Sequence, residues 1–364
     1  MPATTSGACV LAVLVAILTS CIAITVQGGG RALNPALPTI VVAGAAGKVG
    51  SRLVRRLRRS GAVNTVALVR SRGRVESSLE GGPLLVVEAD YGDADAVAAA
   101  LGRVGVLLGT GSGGVGSGSS SSLSPPLIRL FLSCGNVPDQ ARLELNVVTA
   151  AKEIGADFCV KLGTATAVME AEGASDYAAE HMIVEDELMN KNGKAGIAHC
   201  VLRPNMFMQV LTAGGFLGLS VKSTDPAAEG HDVAEHPLPD KSIISMIDCE
   251  DVAACAEAIL VGDDPLGQHD GKVYELTGPE GVQIFDRLSA ALSKGRERPV
   301  KAIPVQLEDA LESHGIPTVL APKLRPFLEV LSHYGKVTNG VKELIGRDPR
   351  SIDDFLGDRS NSGR

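Results

Sequence analysis

The stretch LPTIVVAGAAGKVGSRLVRRLRRSG, residues 37–61, constrains this chain more than any other. TIVVA is a short β-branched run with no polar face, the pattern of a strand buried on both sides of a parallel sheet. Val49, Leu53, Val54 and Leu57 recur at helical spacing with arginines opposite, and Gly61 suits the C-cap. Between strand and helix stand Gly44, Gly47 and Gly50, spaced G-x-x-G-x-x-G. Such a turn lets backbone N–H groups approach a pyrophosphate at a helix N-terminus, and the last glycine lets the helix pack on the sheet. The bland alternative is a plain strand-to-helix turn.

The alternation continues. NTVALVR (64–70) and LLVVEAD (84–90) read as strands, and DADAVAAAL (93–101) as a helix. LIRLFLSC (127–134), DFCVKLG (157–163) and AHCVLRP (198–204) are further strands, with helices at 139–155 and about 176–190 between them. Strands alternating with helices predict an α/β fold, a doubly wound parallel Rossmann sheet. That core is expected over 37–204, with a small C-terminal α/β substrate-covering region over 205–356. Within the latter, 248–280 returns to the core through the helix DCEDVAACAEAILV, with Asp248 as N-cap, and the strand in KVYELTGPE. In the remainder, helices alternate with one short strand, PVKAIPV. GTGSGGVGSGSSSSLSPP (109–126) cannot bury enough apolar area to offset its chain entropy and reads as a disordered insertion, as does the tail 357–364. The tract lacks the GK[ST] ending of a phosphate-binding loop.

With no Trp and only 3% aromatic residues, the core must be aliphatic. A net charge of −8 argues against nucleic-acid binding, which wants a basic face. Of seven cysteines, none forms a CxxC pair or a zinc-like Cys/His spacing, so no metal site is expected. Cysteine usage without a disulfide pattern suits a reducing compartment. ACVLAVLVAILTSCIAITV (8–26) is free of charge, which suggests a signal-peptide core, a membrane anchor or part of a plastid-type import sequence within a targeting segment and linker, 1–36. The chain is thus expected to be membrane-associated or organelle-targeted. The bland alternative is a buried structural helix.

The residue ending the second strand tests the type of dinucleotide. An acid there would take the ribose 2′-hydroxyl of NAD. Here it is Arg70, followed by Arg72 and Arg74, and cations suit the 2′-phosphate of NADP, so NADPH is expected over NADH. The alternative is a solvated basic loop. Asp90 ends the third strand, placed either to touch the adenine or to cap the helix that follows.

The chain resembles the NmrA-like atypical short-chain dehydrogenases/reductases over about residues 38–356. The resemblance rests on VVAGAAGKVGSRLVRRL, Arg70, VEADYGD, NVVTAAKEIGADFCVKLGT, EHMIVEDEL, VLRPNMFMQ, DCEDVAACAEAIL, VYELTGPE and VKELIGRDPRSIDDFL. It implies NADP(H) in a cleft between a Rossmann domain and a smaller C-terminal one. It also implies cofactor contacts from the loop after Gly44 (Ala45, Ala46, Gly47, Lys48, Val49, Gly50), from Arg70, from Asp90 with Tyr91, and from Cys134, Gly135 and Asn136. Lys161, Gly163 and Thr164 should follow, with Pro204 near the nicotinamide. The Gly/Ser insertion departs from the family pattern.

SDYAAEH (175–181) places Tyr177 and His181 four apart, on one face of a helix. Many short-chain dehydrogenases use a Tyr and a Lys at this spacing, the lysine charge lowering the phenol pKa so that it can exchange a proton. Here His181 holds the lysine position. It is the candidate to orient substrate or to give up a proton, with Tyr177 as its partner and Glu185 one turn on either to orient the imidazole or as a solvated helix acid. The alternative is that Tyr177 lies on the surface and His181 merely lines the cofactor pocket. His199, His231, His236, His269, His314 and His333 show no triad or metal spacing, and HDVAEHP reads as a loop. The pattern points to an NADP(H)-dependent oxidoreductase passing hydride to a small carbonyl, quinone or conjugated double bond. The alternative is a non-catalytic NADP(H)-sensing regulatory or assembly protein.

Overall fold

The computed structural model describes residues 25–27, 33–34, 36–71, 84–110, 127–135, 137, 139–171, 176–211, 219–224, 230–294 and 296–358. Strands β1 (Thr25–Gln27), β2 (Thr39–Ala43), β3 (Asn64–Val69), β4 (Leu84–Glu88), β5 (Ile128–Leu132), β6 (Ala156–Leu162) and β7 (Ala198–Pro204) enter one sheet. The sheet is completed, after β8 (Ser220–Lys222), β9 (Asp232–His236) and β10 (Ile243–Ile244), by β11 (Val273–Leu276). Its order is β1-β4-β3-β2-β5-β6-β7-β11. All pairs are parallel except β1, which runs antiparallel along the β4 edge. The doubly wound Rossmann sheet is therefore as expected. Its winding reverses between β2 and β5, and a crevice opens beyond the carboxyl ends of strands at such a point.

Side chains alternate across the sheet. Ile40 and Val42 of β2 join a core with helices α1 (Lys48–Ser60) and α6 (Cys249–Val261), while Val41 and Ala43 join another on the opposite face. That second face is covered by α2 (Ala94–Leu108), α3 (Gln140–Glu153) and, after the short α4 (Thr166–Glu170), α5 (Asp176–Met189). Arg129, 3% exposed near the start of β5, donates to Leu260 O at 2.5 Å and Gly262 O at 2.8 Å. A guanidinium thus meets the carbonyl-rich end of α6, where a cation is favoured. As expected, Asp248 caps the other end, accepting from the Glu250 N–H.

After α7 (Pro265–His269) and the strand pair of β10 with β12 (Val282–Gln283), the C-terminal region adds α8 (Ile284–Ser293) and β13 (Val300–Pro304). Helices α9 (Leu307–Ser313), α10 (Ala321–Ser332), α11 (Gly340–Ile345) and α12 (Ile352–Gly357) follow. Of these, α8, β13, α9, α10 and α12 pack a third apolar cluster with Met206, Met208 and Ala178, while Val341 of α11 joins the core beneath α1 and α6. Arg350 ties the tail back, its guanidinium 2.5 Å from Asp248 Oδ2 and its N–H on Asp251 Oδ2.

Several expectations are corrected. HDVAEHP is not a loop: Asp232–His236 is β9, parallel to β13 and antiparallel to β8. Helix α2 runs to Leu108, because Val104 and Leu108 stay in the core, and Gly109, at φ +76°, is its left-handed cap rather than the start of the insertion. Residues 111–126 lie outside the described residues, as do 359–364, whereas Gly357 closes α12. The membrane-associated or organelle-targeted chain is overturned: among the described residues no helix is long and apolar enough to cross a membrane. The end of the apolar run is strand backbone, Thr25–Gln27, paired with Leu84–Val86. The rest of that run, 8–24, lies outside the described residues.

Candidate active site

The glycine turn sits at the winding reversal. Gly44 has φ +74°, and a Cβ there would lie 1.8 Å from Ser133 O, just beyond β5. A Cβ on Gly50 would lie 2.2 Å from Gly44 O. Only glycine fits either place. Gly47 precedes α1 with no side-chain cap, and the first turn carries no acid. The positive end of α1 and its first N–H groups therefore face the turn without a carboxylate among them, an arrangement suited to an anion. Ala46, Gly47 and Lys48 are exposed along this edge; Ala45 and Val49 are buried beneath it.

Tyr91 holds the turn from behind. Its ring is 2% exposed, its hydroxyl accepts from the Gly44 N–H at 3.0 Å, and it donates to Leu68 O at 2.7 Å. One phenol thus bridges the ends of β2 and β3, and burial pushes its pKa up. Arg70 is exposed just past β3. Asp90 is also exposed; its Oδ1 accepts from the Gly92 N–H at 2.9 Å, and the cap of α2 is Asp93 instead, accepting from Ala96. The Asp90 carboxylate therefore shapes the turn after β4 and leaves helix capping to its neighbour. Beyond β5, Cys134 is partly buried and Gly135 exposed, while Asn136, Arg72 and Arg74 lie outside the described residues.

Lys161 is completely buried in β6, and its Nζ lies 2.8 Å from Glu144 Oε2, 2.5 Å from Leu162 O and 3.0 Å from His181 Nδ1. Protein groups surround the ammonium, so its charge is paired inside the protein. Glu144, on α3, also accepts the Cys134 backbone N–H at 3.1 Å. Burial raises its carboxyl, against the pull of Lys161. Gly163 and Thr164 continue the β6 end, both buried, and Pro204 ends β7.

Helix α5 brings Tyr177 and His181 together, edge to face with ring centroids 4.7 Å apart; Tyr177 meets Phe327 of α10 in the same way at 5.5 Å. Tyr177 is thus not a surface residue but a seam between the sheet layer and the C-terminal region. His181 is 3% exposed. Burial first, then the nearby Lys161 and Arg203 charges, hold its pKa well below the usual imidazole value, so it is neutral at neutral pH. Glu185 does not orient it: its Oε2 pairs with Arg203 at 2.5 Å.

Glu144 and Gln140 were not foreseen. The signal was present: both fall on the apolar stripe of α3 with Val147, Val148 and Ala151, and an acid on a buried stripe demands a partner.

A profile of the NAD(P)H-binding family matches residues 44–235, more than half of the chain. The chain belongs to that family, in its NmrA-like, atypical short-chain dehydrogenase/reductase form, and its cofactor is of the NAD(P)H class. Among relatives, Quinone oxidoreductase 2 of Escherichia coli (strain K12) is 28% identical over 289 residues, covering 78% of this chain and 85% of that protein. The structure of the NADPH-dependent quinone oxidoreductase QOR2 complexed with NADPH, from Escherichia coli, superimposes with a TM-score of 0.61 at 23% identity, covering 87% of this chain and 98% of that one. Triphenylmethane reductase of Citrobacter sp., complexed with NADP(H), gives a TM-score of 0.61 at 18% identity, again over 87% of this chain and 98% of the other. The two structures share the fold.

Proposed function

We propose that this protein is an NADPH-dependent oxidoreductase that delivers hydride to a small conjugated acceptor, with quinones the leading class and small carbonyls or conjugated double bonds next. The observation that carries this is the glycine turn, with Gly44 and Gly50 packed too closely for any Cβ, leading into an uncapped helix N-terminus with Arg70 at the neighbouring strand end. The likeness to a quinone oxidoreductase along 85% of its length favours quinones. The residues fit the cofactor. The α1 N-terminus and turn backbone would hold its pyrophosphate, Arg70 its 2′-phosphate, and Asp90 and the Cys134–Asn136 turn would flank the adenosine side. Gly163, Thr164 and Pro204 would border the nicotinamide end. The nicotinamide supplies hydride when bound; the chain's residues bind and orient, and the acceptor takes its proton from solvent.

Monitoring NADPH oxidation across a panel of quinones tests the activity. Calorimetric titration tests the preference: NADPH should bind about ten- to a hundredfold more tightly than NADH, the worth of a charge-assisted phosphate contact, and Arg70→Ala should erase the difference. Equal affinities in the unaltered protein would end the NADPH assignment. A second reading, an NADP(H) sensor without turnover, draws on one observation: His181, the candidate proton donor, is neutral and enclosed. Tight NADPH binding with no oxidation by any acceptor would favour it.

A further inference from the structure

Four polar side chains from three elements meet beneath the ends of β5 and β6: Gln140 and Glu144 of α3, Lys161 of β6 and His181 of α5. Side-chain exposure is 0% for both Lys161 and Glu144. An ammonium has three N–H groups and no acceptor. The Lys161 ammonium lies 2.8 Å from Glu144 Oε2 as an ion pair, donates to Leu162 O at 2.5 Å and reaches His181 Nδ1 at 3.0 Å. Glu144 is itself anchored, since its other oxygen takes the Cys134 backbone N–H at 3.1 Å. The donor that reaches His181 is therefore held in direction from both sides.

We propose that Lys161 and Glu144 are positioning residues that act through His181, locking its imidazole in the neutral form with the proton on Nε2. His181 is then a fixed hydrogen-bond donor and not an acid. The chemistry of the contact requires this. A proton on Nδ1 would set a donor against the ammonium, and an imidazolium would add a like charge. The other groups facing the ring agree. Arg203 is bound to Glu185, and the Tyr177 ring packs edge to face with the imidazole. Gln140 Nε2 lies 3.4 Å from His181 Nε2, while Gln140 Oε1 is buried with no partner. Turning that amide over gives Oε1 the Nε2 proton, at the loss of a 3.4 Å contact to Glu144, whose oxygens Lys161 and Cys134 already serve. Amide orientation is set by such networks.

The consequence for the reaction rests on the oxidoreductase reading: the lock leaves the site no titrating imidazole, the one N–H of His181 being taken by Gln140. The lock itself is tested without turnover. Long-range ¹H–¹⁵N spectra of the full chain report which ring nitrogen carries a proton, with His181→Asn identifying the signals. Nε2 should be protonated, Nδ1 bare, and neither should shift between about pH 5 and 8, the window in which an ordinary histidine titrates. Lys161→Met alone strands a buried carboxylate, which is strongly destabilising, so the informative variant removes both charges, Lys161→Met with Glu144→Leu. In that protein, shown folded by its melting transition, the His181 signals should move to a mixture of tautomers. With a quinone, its kcat should fall while the KM for NADPH holds. A proton on Nδ1 in the unaltered protein, or titration within that window, would overturn the proposal. So would an unchanged tautomer in the folded double variant. An absence of quinone turnover would overturn only the oxidoreductase reading and leave the spectra to decide the lock.

Discussion

Tyr91 illustrates what a single residue contributes here. Its hydroxyl is the common partner of Gly44 N–H and Leu68 O, so it holds the glycine turn in shape before any ligand arrives. Tyr91→Phe keeps the ring, orphans the Gly44 N–H and leaves Leu68 O with only the Ala45 N–H at 3.5 Å. Its expected cost is about 1–3 kcal/mol of stability, read by urea denaturation. NADPH affinity should drop about tenfold, because the turn's order must then be supplied on binding. An unchanged urea midpoint would mean that the hydroxyl has no structural role. The sequence marked Tyr91 as lying near the cofactor, but no spacing rule revealed that its role is to hold Gly44, a residue 47 positions away. Lys161 teaches the same lesson in reverse. It stands at a strand end where a cofactor contact was expected, and a carboxylate on a different helix claims its charge.

At the scale of the element, the entry to β2 is built from more than the strand. Asn64 is completely buried at the start of β3. Its Oδ1 accepts from the Asn34 N–H at 2.8 Å, and its amide donates to Asn34 O at 2.8 Å, Leu37 O at 3.2 Å and Thr39 Oγ1 at 3.2 Å. The Rossmann pattern begins only at residue 38, and by sequence 1–36 reads as a targeting segment and linker. The hydrogen bonds say otherwise. A chain beginning at Leu37 should fold yet be less stable than one beginning at Leu33 by about 1–3 kcal/mol, since it leaves a buried amide oxygen without its donor. Denaturation midpoints of the two chains, at equal slope, check this; equal midpoints would mean that water replaces Asn34 there. Strand β9 was missed for a related reason. Its five residues sit between polar and proline positions, and its partner β13 comes more than 60 residues later, so little local pattern marks it.

For the molecule as a whole, a buried histidine contributes to the response to acid. His236 is 2% exposed, and burial, with His314 adding to it, lowers its pKa from 6.5 to about 4. The unfolded chain takes up a proton there that the folded chain refuses. The stability associated with neutral His236 is therefore fully present above pH 6.5 and is lost as pH falls toward about 4, by about 1.4 kcal/mol per unit. Asparagine keeps an acceptor for the Leu238 N–H, now 3.3 Å from His236 Nδ1, and cannot be protonated. His236→Asn should flatten the stability profile over this range relative to the unaltered protein, as urea midpoints at several pH values would show. Parallel profiles would mean that His236 is charged when folded. His181, whose pKa is also depressed, should leave a residual slope of the same sign.

The chain alone determined the parts whose signal is short in range. The glycine spacing, the short unbroken β-branched runs of the strands and the 3.6-residue period of the helices announce a doubly wound dinucleotide fold, because each is dictated by neighbours within a few positions. Arg70 at the end of β3 was legible for the same reason, since a strand end fixes where its side chain begins. The partners of Lys161, Glu185 and Tyr177 were decided only when β6, β7, α3, α5 and α10 packed together. A buried charge takes whichever opposite charge the packing brings within about 3 Å, and that choice rests on contacts across the fold that no local period encodes.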